Sequence, residues 1–441
     1  MAAKARGLFA KGGPVRSLFG RSRATSIASG YMIGCYAVVA IVGVTAIRIL
    51  TGLAPPAVFG EANLLLVSLQ LAATVASQPF TTTQLRYHSG EVDAGRGDSF
   101  TRAMLMWTCV ANGGVSLLAM VVWLVQRRFG ASPLGLPGLG GLALLMIATA
   151  VRNVNFGRFQ AERRTFSYGS LLAIESSTAA IGAIIGLRIS PSVDGYIVGQ
   201  ACGSATAALI GLAWDLRTAL RTLVTTQPKP RALEMVRSYG LPFAPMGVLS
   251  WLANTADRYA LGILAGPAAV GQYVAPFAVA SRAMAMIGAP LVDVLRPILF
   301  EATNRGDKMG ARRVFLIWVA LRLTIILAAL AFLALFGPLI GRLLLAPAYR
   351  SGATPILMWV AAGYGVQGVV QTIETRLMSL DRTSWLIVPM GVGGLANLAF
   401  SFLLIPHFGA VGAGMATALS FVVQSAVVGW RLRQAERSAG F

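Results

Sequence analysis

Twelve apolar runs of about 20 residues or more dominate the chain: 27–50, 61–85, 103–126, 137–157, 168–187, 194–214, 239–263, 270–295, 314–336, 353–375, 384–405 and 409–430. Runs of that length match the hydrocarbon thickness of a bilayer at the rise of an α-helix. Inside lipid every backbone amide and carbonyl needs an internal partner, so such runs must be helices. A β-barrel would need alternating segments of about ten residues, and these runs do not alternate. Charged residues make up only 12% of the chain, against 56% hydrophobic, and mean hydropathy is +0.69. Ordinary soluble domains carry about twice that charge. The expectation is an all-α integral membrane protein with twelve transmembrane helices.

The chain also repeats itself. Pro56-Ala57-Val58-Phe59-Gly60 returns as Pro267-Ala268-Ala269-Val270-Gly271 after a shift of 211, and the same shift carries Pro79 onto Pro290. Arg96-Gly97-Asp98 matches Arg305-Gly306-Asp307 after 209, and Arg158, Arg164 and Thr165 match Arg376, Arg382 and Thr383 after 218. Four matches in one order at nearly constant offset argue for duplication of a six-span half. Six spans is an even number, so both halves enter from the same side and the repeat is parallel. The predicted organisation is a basic tail (1–26), a first lobe (27–214), a linker (215–238) with an amphipathic helix at the interface, a second lobe (239–430) and a C-terminal tail (431–441).

Net charge is +21, which raises the question of nucleic acid. The positions of the basic residues answer it. Of 37 Lys and Arg, 27 fall in the segments on one side of the spans and five on the other, with five inside spans. That asymmetry follows the positive-inside rule, placing both termini in the cytoplasm and the basic surface against anionic membrane lipids. No nucleic-acid partner is expected. Cys35, Cys109 and Cys202 are odd in number and lie in apolar runs, so no disulfide framework is implied. Residues 27–50 are too long for a signal-peptide core, and no cleavage pattern follows them.

Charges inside the spans are the candidate functional groups. Arg282 lies mid-span with no charged neighbour in sequence, and Arg152 is followed by Asn153 and Asn155; both are expected to line a cavity. Arg258 and Arg48 are near-equivalent in the repeat. Arg48 and Arg322 are expected to snorkel toward an interface, with cavity lining as the alternative. A cationic cavity suits an anionic substrate, and the planar guanidinium fork suits pyrophosphate. Glu175, Asp257 and Glu374 have two readings: coupling to a proton or sodium gradient, or structural pairing with the arginines. Pro79 and Pro290 are candidate hinges. His88 and His407 are placed in loops; no metal cluster, P-loop or nucleophile elbow is present, and no cofactor or catalytic activity is expected.

Particular motifs are familiar. Ser238-Tyr239-Gly240-Leu241-Pro242-Phe243, Asn254-Thr255-Ala256-Asp257-Arg258-Tyr259 and Gly271-Gln272-Tyr273 resemble the start of the second half in polysaccharide transporters. These are the O-antigen and exopolysaccharide flippases of the multidrug/oligosaccharidyl-lipid/polysaccharide (MOP) exporter superfamily. Leu53 through Gly60 is similar to the matching first-half loop, and Leu404 through Ala413 to the loop between spans 11 and 12. The resemblance implies two six-helix lobes in a MATE-like V and alternating access. It also implies an undecaprenyl-pyrophosphate-linked glycan as substrate, moved across the bacterial inner membrane for lipopolysaccharide, capsule or exopolysaccharide synthesis. A polysaccharide polymerase and chain-length machinery are the implied protein partners. The alternatives are a multidrug or small-molecule exporter of the same fold, a polytopic polysaccharide polymerase or ligase, and a scramblase or channel. Short external loops count against the polymerase.

Overall fold

The computed structural model describes residues 23–128, 134–214, 230–241 and 244–438. Most of the basic tail (1–22), most of the linker (215–229), Pro242 and residues 439–441 lie outside the described residues. The described chain forms ten long helices: α1 (Arg23–Leu53), α2 (Pro56–Asp93), α3 (Gly97–Arg128), α4 (Leu136–Ala161), α5 (Thr165–Ile189), α6 (Val193–Ala213), α7 (Ala244–Asn304), α8 (Lys308–Leu344), α9 (Ala353–Ser379) and α10 (Ile387–Ser438). All ten are long and apolar enough to cross a membrane. The protein is a multi-pass, all-α membrane protein.

Two of the ten are double length, and each is cut by one glycine. Gly266 (φ 81°, ψ 172°) interrupts α7, and Gly409 (φ 56°, ψ −132°) interrupts α10. A side chain would clash with the backbone in both conformations. Pro267 follows the first break at the helix-starting position that tolerates a missing amide. The cuts leave α7a (244–265), α7b (267–304), α10a (387–408) and α10b (410–438), so the ten helices contain twelve helical segments.

The repeat is written in the backbone. Between α2 and α3 the amides of Ala94, Gly95 and Arg96 donate to the carbonyls of Gly90, Val92 and Glu91; after α7b those of Arg305, Gly306 and Asp307 donate to Glu301, Thr303 and Ala302. Every one of these residues is shifted by 211. Gly95 and Gly306 both have positive φ, at 67° and 71°. The structural match is therefore Gly95 with Gly306, and the Arg-Gly-Asp pairing at 209 is out of register by two. The 218 shift holds: Arg163 and Asp381, both left-handed at φ 56° and 57°, occupy equivalent turns after α4 and α9. Side-chain packing rather than water-driven burial holds such a bundle together.

Three further expectations change. Residues 230–240 do not lie free at the interface: Ala232 and Val236 pack with Phe100, Ala103 and Met104 of α3. The C-terminal tail is a continuation of α10b to Ser438. His88 is not in a loop but on α2, 3% exposed.

Candidate functional site

The helix ends define two faces, called here the basic face (loops 94–96, 162–164, 305–307 and 380–383) and the opposite face (loops 53–55, 190–192, 266, 345–352 and 409). At the opposite face the lobes are sealed. Gly60 of α2 and Gly271 of α7b, repeat equivalents, meet reciprocally. A Cβ on Gly60 would stand 1.9 Å from the Pro267 carbonyl oxygen, and one on Gly271 would stand 2.0 Å from that of Pro56. The duplicated Pro-Ala-x-x-Gly sequence thus packs against its own copy, backbone on backbone. Around it the Tyr349 hydroxyl donates to the Ala54 carbonyl (2.7 Å), the Ala346 amide to Thr51 Oγ1 (3.3 Å), and Phe59 meets Tyr349 edge-to-face at 5.9 Å.

Toward the basic face the lobes part around a cavity of about 750 Å³. The α2 wall carries Gln70, Thr74, Ser77, Gln78 and Thr81 at intervals of three and four, which place them on one helical face. The α7a wall carries Ser250, Trp251, Asn254 and Thr255 on the same principle. Asn153, Phe156 and Gln160 come from α4, Tyr364 from α9 and Met390 from α10a. The threonine hydroxyls spend their protons on their own helix: Thr74 donates to the Gln70 carbonyl (2.7 Å) and Thr81 to that of Gln78 (3.1 Å). Their oxygens remain free to accept. Gln78 Oε1 is buried and has no protein donor. Across the lobes, Trp251 Nε1 donates to the Val67 carbonyl (3.1 Å) and the Tyr259 hydroxyl to that of Leu64 (3.0 Å).

None of the five intramembrane arginines lines this cavity. Arg152 donates to Glu175 on α5 and to Asn153, behind the cavity wall. Glu175 is thus a partner of an arginine. Arg258 stacks on the Phe277 ring, 4.4 Å from its centroid. Arg322 does not snorkel: it is 7% exposed, wedged against Gly288 and Gly368, with Nη2 donating to the Gly288 carbonyl (3.2 Å). Its length lets it span from α8 to α7b, where a helix carbonyl replaces water. Arg48 is half-buried and its side chain makes no hydrogen bond or ion pair among the described residues.

Arg282 differs. It reaches from α7b across the lobe boundary, Nη1 donating to the Gly43 carbonyl of α1 (2.8 Å). It lines a second chamber of about 220 Å³ with Asn63, Ser176, Tyr196 and Gln200. No carboxylate pairs with it among the described residues. Beyond Gly43 and Arg282, starting with their neighbours Val44 and Ala283, lies an apolar groove of about 540 Å³ between α1, α7b, α8 and α9.

Asp257 and Glu374 lie off the cavity. Asp257 is fully buried and accepts from the Tyr273 hydroxyl, Thr417 Oγ1 (2.8 Å) and the Arg258 amide (2.9 Å). Glu374 accepts from Gln424 Nε2 at 3.4 Å. Pro79 and Pro290 sit inside helices that run on through them, and Gly240 packs on the Pro79 carbonyl. The amide, hydroxyl and tryptophan lining is absent from the residues singled out by charge. Its signal was the polar stripe at three-and-four spacing within apolar runs 2 and 7.

A family model described as "Polysaccharide biosynthesis protein" matches residues 48–353. The chain belongs to that polysaccharide biosynthesis family. No curated protein sequence matches it. Among solved structures, an inward-facing multidrug resistance MATE family transporter of the MOP superfamily is 14% identical, covering 92% of this chain and 96% of its own, with TM-score 0.69. The lipid II flippase MurJ in an inward closed conformation is 13% identical, covering 92% and 87%, with TM-score 0.68. An outward-facing MATE transporter of the superfamily gives 13%, 92%, 97% and 0.62. At such identity the likeness is one of fold. The chain is thus a member of the polysaccharide biosynthesis family with the fold of MATE transporters and of MurJ.

Proposed function

We propose that the protein is a flippase that carries an undecaprenyl-pyrophosphate-linked oligosaccharide across the bacterial inner membrane by alternating access. The observation that carries this reading is the interlobe cavity, polar and aromatic where the surrounding helices are apolar. Amide and hydroxyl oxygens recognise sugar hydroxyls, and the faces of Trp251 and Tyr364 suit the apolar faces of sugar rings. The substrate divides over three spaces. The glycan occupies the large cavity, the pyrophosphate meets Arg282 in the smaller chamber, and the lipid chain stays in the apolar groove, open to the bilayer. With the basic face cytoplasmic, the opposite-face seal makes this the inward-facing state. Parting Gly60 from Gly271 while the basic ends close, with Pro79 and Pro290 as hinges, delivers the glycan outside. An interior-negative potential favours outward movement of the anion by about 2.3 kcal/mol per charge per 100 mV. Where an ion gradient is coupled, Asp257 and Glu374 are the carboxylates left for it, since Glu175 is engaged by Arg152.

The exporter reading is less well served, because among the described residues no carboxylate lines the cavity to hold a cationic drug. The test is purified protein in proteoliposomes loaded with a polyprenyl-pyrophosphate-linked oligosaccharide. Protein-dependent appearance of the glycan in the opposite leaflet supports the reading. Equal leaflet exchange in protein-free vesicles, or export of cationic dyes with no glycan movement, overturns it.

A further inference from the structure

We infer that the glycan accepted by this protein is uncharged: neutral hexose or N-acetylhexosamine units, to the exclusion of uronic or other acidic sugars. The inference rests on the flippase reading and concerns the same cavity.

Among the described residues the cavity walls contain no charged side chain. The lining is amides (Gln70, Gln78, Asn153, Gln160, Asn254), hydroxyls, aromatics and small or apolar residues. Arg152, beside the wall residue Asn153, is paired with Glu175, and Arg258 is stacked on Phe277. The one guanidinium in a chamber of its own, Arg282, belongs to a space reached from α1, α5 and α6. Along α2 the two spaces are separated by the stretch from Asn63 to Gln70, about 10 Å of helix at 1.5 Å per residue.

The polar atoms also have a sign. Thr74 and Thr81 present acceptor oxygens, having donated their protons to their own helix. Gln78 Oε1 is an acceptor without a donor. Asn254 Oδ1 is occupied by Gln367 Nε2 (2.8 Å), and its Nδ2 by the Ser250 carbonyl (2.7 Å). The surface that remains offers acceptor oxygens beside the amide NH2 groups of Gln70, Gln78, Asn153 and Gln160, a mixture that sugar hydroxyls, which both donate and accept, can satisfy. A carboxylate only accepts, so it would leave the acceptor oxygens unmet. Placed in a partly dehydrated cavity with no cation, it also loses hydration without compensation. About 750 Å³ falls within the range of pockets that enclose a compact ligand, so the selected unit is a short oligosaccharide.

The experiment compares two polyprenyl-pyrophosphate-linked trisaccharides that differ at one carbon, a glucose hydroxymethyl replaced by the glucuronate carboxylate. Both are offered to the full-length protein in proteoliposomes at pH 7. The neutral glycan is expected to cross at least tenfold faster. Gln70→Arg and Gln160→Arg, at exposed cavity positions that can hold a longer side chain, are each expected to raise the acidic-to-neutral ratio tenfold or more. Equal rates for the two glycans in the wild type overturn this inference and leave the flippase reading standing, as does a ratio that neither variant moves. Movement of neither glycan overturns both.

Discussion

The seal at Gly60 and Gly271 offers the sharpest perturbation. In Gly60→Ala the new methyl would lie 1.9 Å from the Pro267 carbonyl oxygen, where ordinary contact begins at 3.4 Å. The deficit is 1.5 Å, and both atoms are fixed to backbone, so no rotamer change relieves it. The N-terminal ends of α2 and α7b must separate by roughly that distance. Overpacking of this kind costs about 1–3 kcal/mol. Charged to the sealed state alone, it shifts the population toward the parted state by about 5- to 150-fold. Gly271→Ala meets the Pro56 carbonyl oxygen at 2.0 Å and should act equally. The double variant should fall well short of additive, because one methyl has already opened room for the other. The assay is labelling of Val270→Cys, buried in the seal, by an impermeant maleimide in a background with Cys35, Cys109 and Cys202 replaced. The rate should rise at least fivefold in either alanine variant and stay unchanged in Gly52→Ala, which has open space. Unchanged labelling in folded Gly60→Ala, or full additivity in the double variant, would refute the reasoning.

Three more predictions address the interior. Trp251→Ala removes both the cavity ring and the bond to Val67, and should cut glycan transport at least tenfold; Trp251→Phe keeps a ring and should fall between, measured as initial rate in proteoliposomes. Asp257→Ala strands the buried Tyr273 and Thr417 hydroxyls and should cost about 1–3 kcal/mol in thermal unfolding. Asp257→Asn preserves an acceptor and should cost less; equal losses would show that the hydrogen bonds are not what matters. At the basic face, burial alone would raise the Glu162 carboxyl, but His88, 3.4 Å away, and the hydrogen bond from Arg158 outweigh it and hold it down at about 2. A depressed acid stabilises above its unfolded value of 4.5 and loses that contribution as pH falls from 4.5 toward 2. Glu162→Gln should therefore lower stability at pH 7 by at most about 3 kcal/mol, with the gap to wild type closing below pH 4.5. A gap that persists at pH 2 would contradict the assignment.

Helix content and the duplicated lobes were legible because span length and repeat offset are one-dimensional properties. The turn at 211 repeats its three hydrogen bonds, and the turn at 218 repeats two, from Arg163 and Arg164 and from Asp381 and Arg382. The Arg-Gly-Asp register was misread since three identical letters outweighed a conformational match at Gly95 and Gly306, which only φ reveals. The site was less legible. Charge drew notice to Arg152 and Arg322, yet their long side chains reach Glu175 and the Gly288 carbonyl within their own lobes, which is the cheapest way to keep a guanidinium in lipid. Which arginine finds such a partner depends on helix rotation, and rotation is set by packing between segments far apart in sequence. Of the five span arginines, Arg282 is the one that donates across the lobe boundary among the described residues, and no local pattern around it announces that.

The most direct measurement is a structure of the protein bound to a polyprenyl-pyrophosphate-linked oligosaccharide. Sugar density against Trp251, Gln78 and Asn254, with phosphate density at Arg282, is the predicted result. Glycan density outside the interlobe cavity, with that cavity left to solvent, would contradict it.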